Sequence, residues 1–149
     1  MLLSCAGARR DESGRVVTPG ELNTVDLRIG DCFQNWTEVA AGGTTRLSSL
    51  EVVPCDEPHD NEVFHIDAYG TSTSLEWPGE DRATSYASAV CLGAFESYVG
   101  SAHASSRLDY GYIRPTLESW EQHDDRRVAC FLFSSTGEHL TGSMHGRAE

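Results

Sequence analysis

The densest group of side chains able to do chemistry is Pro54-Cys55-Asp56-Glu57-Pro58-His59-Asp60-Asn61-Glu62, with His65 shortly after it. Imidazole and carboxylate together suit zinc and similar ions, so His59, Asp60 and His65 form one candidate metal set. Their spacing matches no established ligand motif, since the two histidines stand six apart and no third is close in sequence. A structural reading accounts for the same residues: prolines fix a turn, carboxylates accept from backbone N–H groups, and His59 donates to a nearby carbonyl. That reading is preferred and implies neither metal nor cofactor. It leaves Asp56, Glu57, His59 and Asp60 as a candidate binding loop. Other catalytic signatures are missing from the sequence: there is no His-Glu-x-x-His, no Gly-x-Ser-x-Gly, no phosphate loop and no Gly-x-Gly-x-x-Gly. Gly142-Ser143-Met144-His145-Gly146 is not a nucleophile elbow, because its serine comes one position early. The expectation is a protein that is not an enzyme.

The cysteines are Cys5, Cys32, Cys55, Cys91 and Cys130, with no Cys-x-x-Cys pair, which removes the zinc-ribbon and thioredoxin-type readings. Four spread cysteines and one outlier suggest two disulfides and one thiol used differently, hence a domain outside the cytoplasm. Four cysteines allow three pairings. Leu2-Leu3-Ser4-Cys5 resembles a bacterial lipobox, in which the cysteine receives the lipid. A secretory signal also needs a charged region and an apolar stretch of about 7–15 residues, so the start reads as truncated. No later run reaches the roughly 18 apolar residues of a membrane span, which makes lipid on Cys5 the expected anchor.

These residues need elements to position them. Residues 6–24 are polar and aperiodic apart from Val16-Val17 and read as a flexible tether. Val25, Leu27 and Ile29 alternate with polar residues and predict a strand ended by Gly30-Asp31. Residues 40–45 predict a loop and residues 50–53 a strand stopped by Pro54. A strand over 62–68 would put Phe64, Ile66 and Ala68 on one face and Val63, His65 and Asp67 on the other. Over 80–98 the period becomes helical, with Ala83, Tyr86, Ala87, Val90, Cys91, Ala94, Phe95 and Tyr98 on one stripe. Tyr110 and Tyr112 predict a strand closed by Pro115, Thr116 caps a short helical turn through Trp120, and residues 128–133 read as a central strand. A last strand is predicted over 139–144.

The order gives an α+β domain: a mostly antiparallel sheet with one long helix packed on one face, and two disulfides. Residues 1–24 are the lipobox remnant and tether, and residues 25–146 the folded domain. In this arrangement Cys91 points from the helix to the sheet and Cys130 shares a face with Val128 and Leu132, so we pair these two. Cys32 then pairs with Cys55. Each bridge is worth about 3–4 kcal/mol in the chain-entropy model.

Composition limits the function classes. The 149 residues fit one domain, and the formal charge of −12 has the wrong sign for a nucleic-acid partner. Leu, Ile, Val and Phe total 30 of 149 residues, close to the border below which chains of this charge fail to fold unaided. Disulfides would supply what the aliphatic core lacks.

Gly30-Asp31-Cys32-Phe33, then Val53-Pro54-Cys55-Asp56-Glu57-Pro58-His59-Asp60 with Glu62-Val63-Phe64, Cys91 in a helix, Tyr112, Pro115-Thr116-Leu117-Glu118-Ser119-Trp120 and Cys130 form a series. It resembles the septum formation family of actinobacterial envelope proteins. Its most specific piece is Pro-Cys-x-x-Pro-His-x-x-Glu-Val-Phe. The resemblance implies a secreted, lipid-anchored or membrane-tethered protein with oxidised internal cysteines, and carries over no catalytic residue. One departure is Asp124-Asp125-Arg126, where relatives often show Gly-Asp-Arg and hence a glycine turn.

The expected function is a non-enzymatic domain on the outer face of the plasma membrane, tethered through lipid on Cys5, that binds an envelope or cell-division component. Its expected contact surface is Asp56, Glu57, His59 and Asp60, or exposed aromatics such as Trp36 and Trp77, since rigid rings anchor interfaces well. The alternatives are a metal-dependent envelope enzyme using His59, Asp60 and His65, and a carrier of a small ligand.

Overall fold

The computed structural model describes residues 7–36, 49–70 and 76–149. Its longest element is helix α1 (Glu80–Val99), whose buried residues Ala83, Ala87, Cys91, Phe95 and Val99 recur every fourth position. That spacing keeps them on one face. Glu80 and Asp81 in the first turn complement the partial positive charge of the helix start. Gly100 ends the helix in the left-handed region (φ 92°), its N–H donating to the Glu96 carbonyl at 2.8 Å.

A six-stranded sheet lies against the helix, built from β3 (Gly20–Asn23), β4 (Cys32–Phe33), β5 (Ser49–Val53), β6 (Asn61–Ala68), β7 (Leu108–Ile113) and β8 (Arg127–Ser134). The spatial order is β3-β5-β4-β6-β8-β7 and every neighbouring pair is antiparallel. Helix α1 packs on β6, β7 and β8. Between them lies one core, including Phe64, Phe95, Leu108, Val128, Leu132, Leu140 and Met144. Alternation along β8 sends Phe131 to the opposite face, where Leu27, Phe33, Leu50, Val52 and Val63 form a second core. The fold is therefore α+β with a long helix on one face of an antiparallel sheet. The disulfides are Cys91–Cys130, which ties α1 to β8, and Cys32–Cys55, which ties β4 to the loop after β5. The short helix α2 (Leu117–His123) opens with a capping box between Thr116 and Ser119.

Several expectations need correction. The segment read as a tether carries β1 (Arg9–Arg10) and β2 (Val16–Thr18), which pair with each other, and then β3, which pairs with β5. The folded unit therefore begins well before residue 25. What fixes the segment is a forked ion pair: Arg10 reaches both carboxylate oxygens of Asp31 at 2.6 and 2.7 Å, and Asp31 also accepts from the Arg28 N–H. Val16 is buried, which explains one of the two apolar residues in this polar stretch, while Val17 is exposed.

Residues 25–29 are not a strand. Thr24–Asp26 is a 3-10 turn, Leu27 alone is buried, and Val25 and Ile29 are 60% and 54% exposed. The carbonyls of Val25 and Leu27 accept from the Arg127 guanidinium instead of a neighbouring strand. In β6 a bulge between Val63 and His65 breaks the alternation. Directly paired residues share a face, so His65 opposite Cys130 and Asp67 opposite Val128 join Phe64 on the helix side, while Val63 and Ile66 join the other core. Residues 139–144 form no strand; only a single bridge links Leu140 with His59. At the expected missing turn, Asp124 itself takes the left-handed conformation (φ 53°, ψ 33°) and caps α2. The loop expected at residues 40–45 and the proposed lipid site Cys5 lie outside the described residues.

Candidate functional site

Two features converge where β4, the 54–60 loop and the C-terminal segment meet. The first is a buried polar cluster. Glu62, 0% exposed, accepts from the Tyr98 hydroxyl and the Ser143 hydroxyl, each at 2.6 Å, and from the Met144 N–H at 2.7 Å. Burial, reinforced by the Glu62 carboxylate, pushes the Tyr98 phenol well above its usual range. His59 is also 0% exposed. Its Nδ1 lies 2.8 Å from the Glu57 carbonyl, which can only accept, so Nδ1 carries the proton. Its Nε2 is buried without a hydrogen-bond partner among the described residues.

The second feature is a cleft of about 760 Å³. One wall is the β1–β2 ribbon with Arg15 and Val17, another is the corner from Arg28 to Cys32, and the third is Pro54 to Glu57. The Cys32–Cys55 disulfide and Ser143 line it, so the cleft meets the buried cluster through Ser143. Val17 and Ile29 are among the most exposed large apolar side chains of the described residues. Both line the cleft together with Arg15, Arg28, Asp56 and Glu57. Mixed charge around an apolar strip can take an extended polypeptide or a small amphipathic molecule.

The residues singled out from the sequence separate into three groups. Asp56 and Glu57 are exposed and line the cleft. His59 is buried behind it, and Asp60 is committed to structure: its carboxylate accepts from the Asn35 N–H at 2.7 Å and lies 2.9 Å from His139 Nδ1. Trp36 and Trp77 are not free surface anchors. Trp36 is half-buried against Phe33 and Phe131, and Trp77 sits edge-on to Trp120 at 5.5 Å.

The set His59, Asp60 and His65 is not assembled. His65 lies past the bulge, 3.7 Å from the Asp67 carboxylate, and in a separate groove between β6 and α1. Among the described residues, the ligand-type atoms that do come together belong to Cys32, His59 and Glu62. Sequence pattern does not single out Arg15, Val17, Arg28 and Ile29, because residues 6–24 lack periodicity and the alternation over 25–29 predicts a strand where the chain turns a corner. Val16-Val17 was the available signal: an isolated β-branched pair marks a docked strand.

No curated protein and no solved structure matches the chain. A family model described as septum formation matches residues 29–149, which takes in β4 to β8, α1, both disulfides and the buried cluster. The chain belongs to the septum formation family.

Proposed function

We propose that this is a non-enzymatic, extracytoplasmic domain, held at the outer face of the plasma membrane by lipid on Cys5, that binds a cell-envelope or cell-division protein through the cleft. Membership of the septum formation family makes the role one related to cell division. Two disulfides fit an oxidising compartment, and no helix among the described residues is long and apolar enough to cross a membrane. The observation that carries the binding reading is the cleft itself, lined by exposed Val17 and Ile29 together with Arg15, Arg28, Asp56 and Glu57. An apolar strip with charges of both signs at its rim suits an extended segment of another protein.

Photo-crosslinking from position 57 in dividing cells, combined with localisation of a tagged copy, tests this. A crosslinked division or envelope protein, lost on Ile29→Asp, is the expected result. Uniform envelope labelling without such a neighbour contradicts it. A carrier of a small ligand is the second reading, favoured by the cleft volume, which falls within the range of ligand pockets. Native mass spectrometry of protein taken from its host separates the two, since a carrier keeps a molecule of constant extra mass.

A further inference from the structure

We propose that Cys32, Cys55, His59 and Glu62 form a redox-gated site for a thiophilic divalent cation, with zinc as the type, closed while the Cys32–Cys55 disulfide is intact. The sulfur of Cys32, a ring nitrogen of His59 and a carboxylate oxygen of Glu62 all lie within 4.8 Å of one another, and all three residues are fully buried. The Nδ1–H of His59 is fixed on the Glu57 carbonyl, so a neutral ring presents the Nε2 lone pair, which no described residue satisfies. Donation from the far ring nitrogen to a carbonyl is the arrangement that orients metal-binding imidazoles. A buried acceptor left unpaired is costly, and a cation held between the His59 ring and the Glu62 carboxylate, which approach within 4.8 Å, would satisfy it.

Glu62 is oriented in the same way. Tyr98, Ser143 and the Met144 N–H occupy three of the roughly four lone-pair directions of its carboxylate. One direction is left for an ion. With the disulfide closed, Cys32 offers only a weak donor sulfur, and two strong donors do not make a zinc site. Reduction changes the donor set. A dithiol reductant gives two electrons and two protons to the S–S bond and becomes a disulfide itself. The two protein thiols then lie side by side, lose their protons to solvent on binding the ion, and complete two thiolates, one imidazole and one carboxylate. Four donors of these types suit tetrahedral zinc. A disulfide oxidant that removes two electrons from the thiolates re-forms the S–S bond and releases the ion. Cys32 and Cys55 both line the cleft, which gives reductant and ion their route.

Cobalt titration of the full chain, in matched oxidised and phosphine-reduced anaerobic samples, tests the proposal. Reduced protein should take up a stoichiometric amount of cobalt with thiolate charge-transfer and tetrahedral d–d absorption, and oxidised protein should not. His59→Ala should weaken binding by more than about tenfold, while His65→Ala should bind as the parent does. The proposal is overturned if the reduced protein shows no charge-transfer band, or if His59→Ala leaves the band and the affinity unchanged. Reduction also opens Cys91–Cys130, so near-UV circular dichroism follows the fold. If reduction unfolds the chain, zinc should restore the native spectrum in the parent but not in His59→Ala. Failure to restore it in the parent overturns the proposal equally.

Discussion

Glu62 holds three donors at the junction of β6, α1 and the C-terminal segment, and it does so from a position that water does not reach. Removing it would leave the Tyr98 hydroxyl and the Met144 N–H buried without an acceptor, each costing about 1–3 kcal/mol. Glu62→Ala should therefore lower unfolding free energy by about 3 kcal/mol in urea denaturation. A loss below about 1 kcal/mol would mean that water replaces the carboxylate. Asp124 is the opposite case. Its left-handed backbone disfavours a residue with a Cβ, and its carboxylate lies at the C-terminal, partly negative end of α2, offset only by an exposed ion pair with Arg126 at 3.2 Å. Asp124→Gly should raise stability by about 0.5 kcal/mol, a small shift because glycine also frees the unfolded chain. At this scale the sequence was informative where chemistry is local. The carbonyl partner of His59 and the cap at Thr116 follow from residue type and immediate neighbours. The Glu62 cluster was not legible, because Tyr98 and Ser143 approach it from 36 and 81 residues away.

Elements differ in how much of their position is written in their own sequence. The four-residue stripe of α1 specifies both the helix and its buried face. Strand β6 hides its bulge, since nothing in Val63-Phe64-His65 marks an extra residue until the pairing with β8 is known. The β1–β2 ribbon was missed because its order comes from Asp31 and from Asp11, not from periodicity. Asp11 accepts from the Ser13 hydroxyl and N–H and from Arg15, and the Ser13 hydrogen bond leads in holding its carboxyl at about 2, below its ordinary 3.8. A depressed folded-state value means that the turn is favoured above the ordinary value and loses that support as pH falls through about 2. Carboxyl NMR should show Asp11 titrating near 2; a midpoint at the ordinary value would contradict the turn. A second element-level test lies between β7 and β8. A Cβ at Gly111 would stand 2.6 Å from the Phe131 ring, which Phe33 and Trp36 hold edge-on at 5.5 and 5.7 Å. Gly111→Ala should cost about 2 kcal/mol, read as a lower urea midpoint with an unchanged slope. A neutral outcome would show that the aromatic cluster can shift.

For the whole molecule, the question is how a chain of charge −12 with few aliphatics stays folded. It divides a modest apolar content between two cores on opposite faces of one sheet and adds two disulfides. Cys91–Cys130 lies inside the helix-side core, and Cys32–Cys55 ties the short strand β4 beside the cleft. Covalent closure of these loops removes unfolded-state entropy that the cores alone would have to overcome. Fold class was legible because the helical period of α1 is strong and the cysteines are few, even though the strand periods over 25–29 and 62–68 misplace side chains. The cleft was not, since its walls come from three separate stretches of chain. Two disulfides fit a domain that completes its fold outside the reducing cytosol. Non-reducing peptide mapping of protein recovered from its native host decides this: a linked Cys91–Cys130 peptide is expected, and alkylatable thiols at both of these buried positions would rule oxidative folding out.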